Sequence, residues 1–303
     1  MLASSTGKTV LWGSLFLLTI LSVLSPLNLI TVNVILIPLL VMATLSDRIR
    51  FAIVFAAIVI LPALLFGGYG LFISLMALFY LPPALAMASQ YKKEAGAGAA
   101  VLAGIIAFIA TILAVLLIAF AFRFNLADFI TDALTTDKAL MSLLETLLGT
   151  QANVDDALKV LIAMIPVTII FFSVYTTVVA HFFARKLLSR FWRPVPKLKP
   201  MKEWRLPRSI IWYYLILLIA ELFFGFKAGS TMYVVLLNAV PLLTYALALQ
   251  GVGFLFFTAD AKGWNRALPV FSLVLLPFFP QLIAWVGVID MAFPLRSRMK
   301  SKD

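Results

Sequence analysis

Long runs of apolar residues, separated by short polar interruptions, make up most of this chain. A helix that crosses a bilayer needs about 20 apolar residues, since each residue advances it by about 1.5 Å through hydrocarbon about 30 Å thick. The pattern therefore predicts an all-α fold, a polytopic transmembrane helical bundle with nine or ten spans. The runs of single-span length cover 51–66, 71–89, 99–122, 160–184, 209–226 and 231–258.

Proline interrupts the first and the last apolar run, and each of these runs is too long for one helix. The first run, 10–45, is broken at 25–28 by a Ser-Pro-Leu-Asn turn signal, which predicts a hairpin of two short spans. The last run, 267–295, contains Pro277 and Pro280 and crosses either once or as a short hairpin. The hairpin is favoured, because it keeps the bases of the tail on the same side as most other bases.

The polar stretch 123–159 is predicted to be an extracytoplasmic amphipathic segment. Apolar residues recur in it at helical spacing over 126–134 and again over 140–148. Two amphipathic helices, lying on the membrane surface or against the bundle, satisfy this pattern and could cover a binding site as a lid. No hydrophilic stretch is long enough to build a second core, so residues 1–303 are predicted to form a single transmembrane domain.

Positive charge is distributed unevenly along the chain, whose formal net charge is +11. Nine of the 24 lysines and arginines lie in 185–208, and alternating spans put most of the others on the same side of the membrane. The positive-inside rule then predicts that 185–208 is a cytoplasmic basic loop of a multi-pass protein in the bacterial inner membrane. Nucleic acid is not an expected partner, because this stretch has no fold of its own.

The basic loop combines arginine and lysine with tryptophan, and such side chains suit an anionic layer of lipid headgroups. We expect them to contact the lipid bilayer, and docking of a cytoplasmic or membrane protein partner is the alternative. The residues concerned are Arg185, Lys186, Arg190, Arg193, Trp204, Arg205 and Arg208.

Composition argues against an enzyme. The chain has no cysteine, and its one histidine, His181, lies a turn before two bases, where a position at the membrane interface is expected rather than a proton relay. No phosphate-binding loop, zinc-protease histidine pair or glycine-flanked serine is present in the sequence. Neither a metal site nor a cofactor is therefore predicted.

Polar residues inside apolar spans are costly and need a reason. Glu221 and Asn238 lie about 8 and 11 Å from the outer ends of neighbouring spans, so they could face each other. Together with Asn33, beside the first hairpin turn, they predict a substrate-binding pocket in the outer half of the bundle. The alternative is that Glu221 pairs with Lys227 near the interface while Asn238 only joins helices.

Four further residues are expected to serve helix packing. Gln250 and Gly251 lie where close helix contact is possible, and Gln281 could satisfy backbone groups freed by the neighbouring prolines. Asp290 is close enough to Arg296 to form an internal ion pair that anchors the end of the last helix.

The second half of the chain resembles the YybS-like family of bacterial membrane proteins, a domain of unknown function. The motifs that carry this likeness are Glu203 to Ser209, Ile210 to Tyr214, Asn238, Gln250-Gly251, and Gly287 to Asp290 followed by Phe293 and Arg296. The resemblance implies a polytopic inner-membrane protein, distantly similar to the substrate-binding subunits of energy-coupling-factor transporters. Those subunits bind a small-molecule solute in their outer half and borrow an ATPase and a coupling membrane protein.

Two functions from different classes follow from these observations. One is a solute-binding or transport-related membrane protein with a pocket around Glu221 and Asn238. The other is a non-transporting scaffold whose basic loop recruits a cytoplasmic partner or anionic lipid.

Overall fold

The computed structural model describes residues 5–136, 142, 154–224, 229–293 and 295–299, which form helices and turns without any strand. In chain order the helices are α1 (Ser5–Leu21), α2 (Asn28–Thr31), α3 (Leu36–Leu45), α4 (Arg48–Leu65), α5 (Gly67–Lys92), α6 (Ala97–Ala121), α7 (Leu126–Thr136), α8 (Val154–Ala163), α9 (Ile165–Phe191), α10 (Ser209–Phe224), α11 (Thr231–Lys262), α12 (Ala267–Leu275), α13 (Pro280–Ala292) and α14 (Leu295–Arg298). The all-α fold is thus confirmed for these residues.

Six helices among the described residues are long and apolar enough to cross a membrane. They are Thr6–Leu24, Arg48–Leu65, Gly67–Lys92, Ala97–Ala121, Ile165–Phe191 and Thr231–Lys262. Three shorter apolar helices, Leu36–Leu45, Ser209–Phe223 and Pro280–Ala292, fall below the length that a full crossing requires. A multi-pass architecture is supported, whereas the predicted count of nine or ten spans is not confirmed.

The chain divides into two compact units. Unit 1 comprises Met1–Leu126 and Thr168–Leu198, and unit 2 comprises Ala127–Val167 and Lys199–Asp303. Each unit has its own apolar core. The single transmembrane domain over 1–303 stays a prediction.

Unit 1 is built around α3, whose residues from Leu36 to Thr44 are all buried. Helices α1 and α5 pack against this short helix, α4 packs against α1 and α5, and α6 packs against α5. The rings of Tyr80 and Phe108 meet edge to face with centroids 5.7 Å apart and anchor the contact between α5 and α6. Gly104 on α6 allows α9 to approach closely, because a methyl group there would lie 2.5 Å from Thr177 on α9.

Unit 2 is built around α11, the longest of the described helices, against which α13 packs along much of its length. Small residues let the two backbones touch. A methyl group at Gly251 would overlap the carbonyl of Ile283, and one at Gly287 would overlap the carbonyl of Leu247. Gly251 therefore has the packing geometry that the sequence suggested.

The basic segment 185–208 is not a loop throughout, since α9 continues past the predicted end at Ala184 to Phe191. Ala180, Ala184 and Leu188 follow at helical spacing and are all buried in the core of unit 1. This apolar stripe continues the helix while its bases lie on the other faces. Arg185, Lys186 and Arg190 are therefore helical residues, and the irregular part of the segment begins after Phe191.

The amphipathic segment 123–159 contains α7 and the start of α8, both of which separate apolar from polar residues around the helix axis. The second predicted amphipathic stretch, 140–148, lies outside the described residues except at Ser142. The following span was expected to begin at Val160, but α8 already starts at Val154 and a break at Met164 separates it from α9.

The last apolar run forms a hairpin of α12 and α13, and its crossing of the membrane twice stays a prediction. Its first arm, α12, follows Lys262 at the end of α11, where Asp260 pairs with Lys202 at 2.6 Å. Its second arm, α13, leads to Arg296, which donates to the carbonyl of Lys202 at 2.7 Å. Both ends of the hairpin therefore lie at one end of unit 2, which also carries Arg205 and Arg208 and is called the basic end of unit 2 below.

Candidate functional site

The residues predicted to form an outer pocket are used differently in the structure. The Asn238 amide donates to the carbonyls of Ala163 and Val234, each at 2.8 Å, and its oxygen accepts from the Val167 N–H at 2.8 Å. It thus satisfies one carbonyl at the end of α8 and one amide at the start of α9. Both donors of Asn238 are occupied, so none is left for Glu221 or for a solute.

Glu221 lies on an exposed face of α10, and its carboxylate has no hydrogen-bond or ion-pair partner among the described residues. Lys227, its suggested partner, falls outside those residues. Asn33 belongs to unit 1, where its oxygen accepts from the Tyr175 hydroxyl at 2.8 Å and its nitrogen donates to the carbonyl of Leu29 at 2.6 Å.

A buried polar cluster lies instead at the basic end of unit 2. Gln250, Asp290 and Arg296 are 4, 7 and 9% exposed. Gln250 donates to Asp290 at 2.6 Å. Arg296 donates hydrogen bonds of 2.7 to 3.1 Å to both oxygens of the same carboxylate. The Gln250 oxygen accepts from the Leu206 N–H at 3.0 Å, and Arg296 also holds the carbonyl of Lys202. Side chains from α11, α13 and the tail thereby fix the path of 202–206.

Glycine spacing on α11 explains why this segment can lie so close to the helix. A methyl group at Gly253 would stand 2.6 Å from the carbonyl of Met201. The short 3-10 turn Met201–Glu203 therefore packs directly on the backbone of α11. Arg296 completes the contact, because its guanidinium lies 5.9 and 5.4 Å from the rings of Phe254 and Phe257.

A pocket of about 170 Å³ opens beside this cluster. Its polar lining consists of Arg205, Arg208, Gln250, Asp290, Arg296 and Ser297. The Asp290 charge is already balanced by Arg296, whereas Arg205 and Arg208 are exposed and have no acidic partner among the described residues. The uncompensated charge of the pocket is therefore positive. Guanidinium groups bind phosphate and carboxylate oxygens through paired hydrogen bonds, so the pocket suits an anion.

The bases of α9 are arranged without a pocket. Lys186 is exposed and lies 4.1 Å from the centroid of the Phe182 ring, and Arg190 is exposed near Phe191. Arg185 is half-buried. Contact of these side chains with lipid headgroups stays a prediction, and nothing in their geometry selects one anion.

Arg193 fastens the chain to the end of α5. Its guanidinium binds the Glu94 carboxylate and donates to the carbonyls of Tyr91 and Lys92 at 2.8 and 3.0 Å. It also lies 4.0 Å from the ring centroid of Trp192. A cation at a helix carboxyl end satisfies carbonyls without a helical partner and is favoured by the helix dipole. Arg193 is thus an internal helix cap, a role that the sequence did not suggest.

Two lysines of unit 1 do the same for other helices. Lys92 donates to the carbonyl of Ser46, after α3, at 3.0 Å, and Lys8 reaches the carbonyl of Phe191, the last residue of α9, at 3.4 Å. The carboxyl ends of α3, α5 and α9 are therefore each met by a base from elsewhere in the unit. In unit 2, Trp204 is held locally by donating to the Lys199 carbonyl at 2.9 Å.

His181 is buried inside unit 1, where it is only 2% exposed, and its position at the membrane interface stays a prediction. Its Nδ1 lies 2.8 Å from the Tyr91 hydroxyl, and its Nε2 has no partner among the described residues. Gln281 also differs from expectation, because it donates to the Tyr214 hydroxyl at 2.6 Å rather than to backbone at the proline break.

Sequence reasoning named Asp290, Arg296, Gln250, Arg205 and Arg208 but did not bring them together. The packing of 201–206 against α11 brings them together, and the sequence pattern did not predict it. A signal for it was present in the glycines at 251 and 253, which allow one helix contact and one loop contact on neighbouring faces.

Comparisons with known proteins agree with this architecture. The family described as predicted membrane protein DUF2232 matches residues 14–291. The chain is 26% identical over 230 residues to the uncharacterized protein YybS of Bacillus subtilis strain 168, covering 71% of this chain and 73% of that protein. No solved structure matches the chain. Since the family match extends over most of its length, the chain belongs to the DUF2232 family of predicted membrane proteins.

Proposed function

We propose that this protein binds a phosphate-bearing anion at the arginine pocket of unit 2, as a multi-pass protein of the bacterial inner membrane. The observation that carries the proposal is the charge balance of the pocket. Asp290 is already neutralised by the buried Arg296, while Arg205 and Arg208 offer free guanidinium groups at the mouth. The proposed activity is binding and not catalysis.

The buried cluster gives the pocket a rigid floor. Gln250, Asp290 and Arg296 hold one another and the backbone at Lys202 and Leu206, so the segment that carries Arg205 is fixed before a ligand arrives. Binding to a preorganised site loses less conformational entropy than binding to a mobile loop. This distinguishes Arg205 and Arg208 from Lys186 and the other bases of α9.

The positive-inside rule assigns the basic end of unit 2 to the cytoplasmic side. Two sources of phosphate meet there, namely the headgroups of anionic lipids and soluble phosphate esters. The first makes the protein a scaffold on anionic lipid, and the second makes it a binder of a cytoplasmic solute. The chemistry at the arginines is the same in both cases.

Binding of three probes to the detergent-purified protein tests the proposal. The probes are inorganic phosphate, glycerol 3-phosphate and dihexanoyl phosphatidic acid, with zwitterionic dihexanoyl phosphatidylcholine as the comparison of zero net charge. We expect at least one anionic probe to raise the melting temperature, by an amount that grows with the logarithm of its concentration above Kd. A response to glycerol 3-phosphate indicates a soluble ligand, and a response to phosphatidic acid alone indicates a lipid.

The double variant R205Q/R208Q should weaken that binding about tenfold or more, since each lost charge-assisted bond contributes about 1.5–3 kcal/mol. The matched control K186Q/R190Q removes the same charge from exposed positions of α9 and should leave the affinity unchanged. Equal losses in both variants, or no response to any anionic probe, would refute the pocket.

Solute binding around Glu221 is the second candidate. A carboxylate on an otherwise apolar helix is costly in hydrocarbon and calls for a partner. Its pocket would need residues other than Asn238, whose amide is occupied. The variant E221Q should abolish thermal stabilisation by a cationic solute in a metabolite screen and should not affect the response to phosphate probes.

A further inference from the structure

The helices α12 and α13 of the last hairpin are both shorter than a full membrane crossing requires. The two ends of this hairpin lie together at the basic end of unit 2, as the contacts of Asp260 and Arg296 with Lys202 require. Nine residues in α12 advance about 14 Å and the thirteen of α13 about 20 Å. Since the hydrocarbon core is about 30 Å thick, α12 extends through about one leaflet.

An apolar groove of about 690 Å³ runs along α12. Leu268, Phe271 and Val274 line it and are 47, 57 and 59% exposed. These residues recur at a spacing of three, so they form one continuous stripe on the helix. The stripe begins at the basic end of unit 2 and extends about 9 Å along the helix, more than half the depth of one leaflet.

The mouth of the groove is aromatic and basic. Trp264 lines it, and the Lys262 ammonium lies 4.8 Å from the centroid of the Trp264 ring. Gly263 ends α11 with a φ of 66°, and the Asn265 side chain accepts from the Ala267 N–H at 2.9 Å, so the turn between the helices is well defined. Arg266 follows in this turn and, like Lys262, is exposed.

The charge at this mouth is positive. Asp260 is the nearest acidic residue in the sequence, and it is paired with Lys202 at 2.6 Å. Arg266 also lies close enough to interact with this carboxylate, but the three bases Lys202, Lys262 and Arg266 outweigh its single negative charge. Tryptophan beside bases is the combination found at the headgroup layer of a membrane.

We infer that this groove is a site for an anionic phospholipid of the leaflet at the basic end of unit 2. The phosphate binds between Lys262 and Arg266, and one acyl chain lies along Leu268, Phe271 and Val274. The groove then offers a contact for each part of the lipid, an apolar channel for the acyl chain and cations for the headgroup. The site is separate from Arg205 and Arg208 and does not depend on the function proposed for them.

Native mass spectrometry of the delipidated full chain tests this site. The probes are dioleoyl phosphatidylglycerol and dioleoyl phosphatidylcholine, added one at a time. We expect a phosphatidylglycerol adduct at about tenfold lower lipid concentration than the phosphatidylcholine adduct. The variants are compared in the R205Q/R208Q background, so that lipid bound at the arginine pocket does not contribute. In that background K262Q/R266Q should abolish the preference for phosphatidylglycerol, whereas K186Q/R190Q should retain it.

A groove-filling variant, A267F, gives a second measurement. It should reduce the adducts of both lipids, while its melting temperature and elution volume show that the chain remains folded. Equal adducts with the two lipids, or a preference that survives K262Q/R266Q, would overturn the inference. A dimer that forms on delipidation and is lost in A267F would overturn it in favour of a second copy of the chain.

Discussion

Arg296 holds Asp290 with a bond of 2.7 Å between Nη2 and Oδ2, and the two side chains are only 6 and 1% exposed. Such a pair is seldom stronger than an apolar contact of the same size, but breaking it leaves a bare charge inside the protein. Here the pair also orients Gln250 and the carbonyl of Lys202, so it joins α11, α13 and the segment before α10.

The variant D290N should therefore destabilise the protein by about 3–5 kcal/mol, because the buried Arg296 charge loses its partner. The double variant D290N/R296M should recover a large part of that loss. Thermal unfolding in detergent measures both. If D290N and the double variant melted at the same temperature as the unaltered protein, the pair would have no structural role.

The glycines of unit 2 provide a second test. G251A and G287A each place a methyl group against a backbone carbonyl of the opposite helix, and the backbone cannot yield without separating α11 from α13. Each should cost about 1–3 kcal/mol by overpacking. G98A is the matched control, since a methyl group there meets nothing within 4 Å and alanine favours a helix by about 0.5–1 kcal/mol. A similar melting temperature for all three variants would contradict the close packing.

Three features of the structure show which parts of the fold the sequence could predict. The Asp290–Arg296 pair is local, so proximity along the chain was enough to suggest it. The charge at Arg185 predicts that α9 ends at Ala184. The apolar spacing continues to Leu188, and the helix follows that spacing to Phe191. The contact of Arg296 with Lys202 joins distant parts of the chain, and neither hydropathy nor spacing carries information about such a contact.

Asn238 illustrates the limit for polar residues in spans. Its position at a similar depth to Glu221 suggested a pocket, but the strongest demand on its amide came from the backbone at Met164, where α8 ends and α9 begins. Hydropathy predicts one continuous span there and gives no sign of a break. The cost of unsatisfied backbone groups in hydrocarbon decided the role of this side chain.

The variant N238A should accordingly lower stability whether or not a solute is present. It leaves the Val167 N–H and the Ala163 carbonyl without their partner, at about 1–3 kcal/mol for each group that stays buried. N33A, which removes an asparagine of unit 1 with exposed partners, should cost less. If Asn238 served only to bind a ligand, N238A would leave the melting temperature of the unliganded protein unchanged.

Tyr91 and His181 offer the sharpest spectroscopic test, since the chain contains one histidine. Whichever ring nitrogen carries the proton, the Tyr91 hydroxyl satisfies Nδ1 and leaves Nε2 without a protein partner among the described residues. The variant Y91F removes the remaining partner and should cost about 1–3 kcal/mol, while Y91F/H181F, which replaces both polar groups with apolar ones, should recover much of it. Nitrogen-15 spectra of histidine-labelled protein should show one neutral tautomer, and its signals should shift in Y91F. An imidazole signal that is unchanged by Y91F and averaged between tautomers would mean that the hydrogen bond does not form.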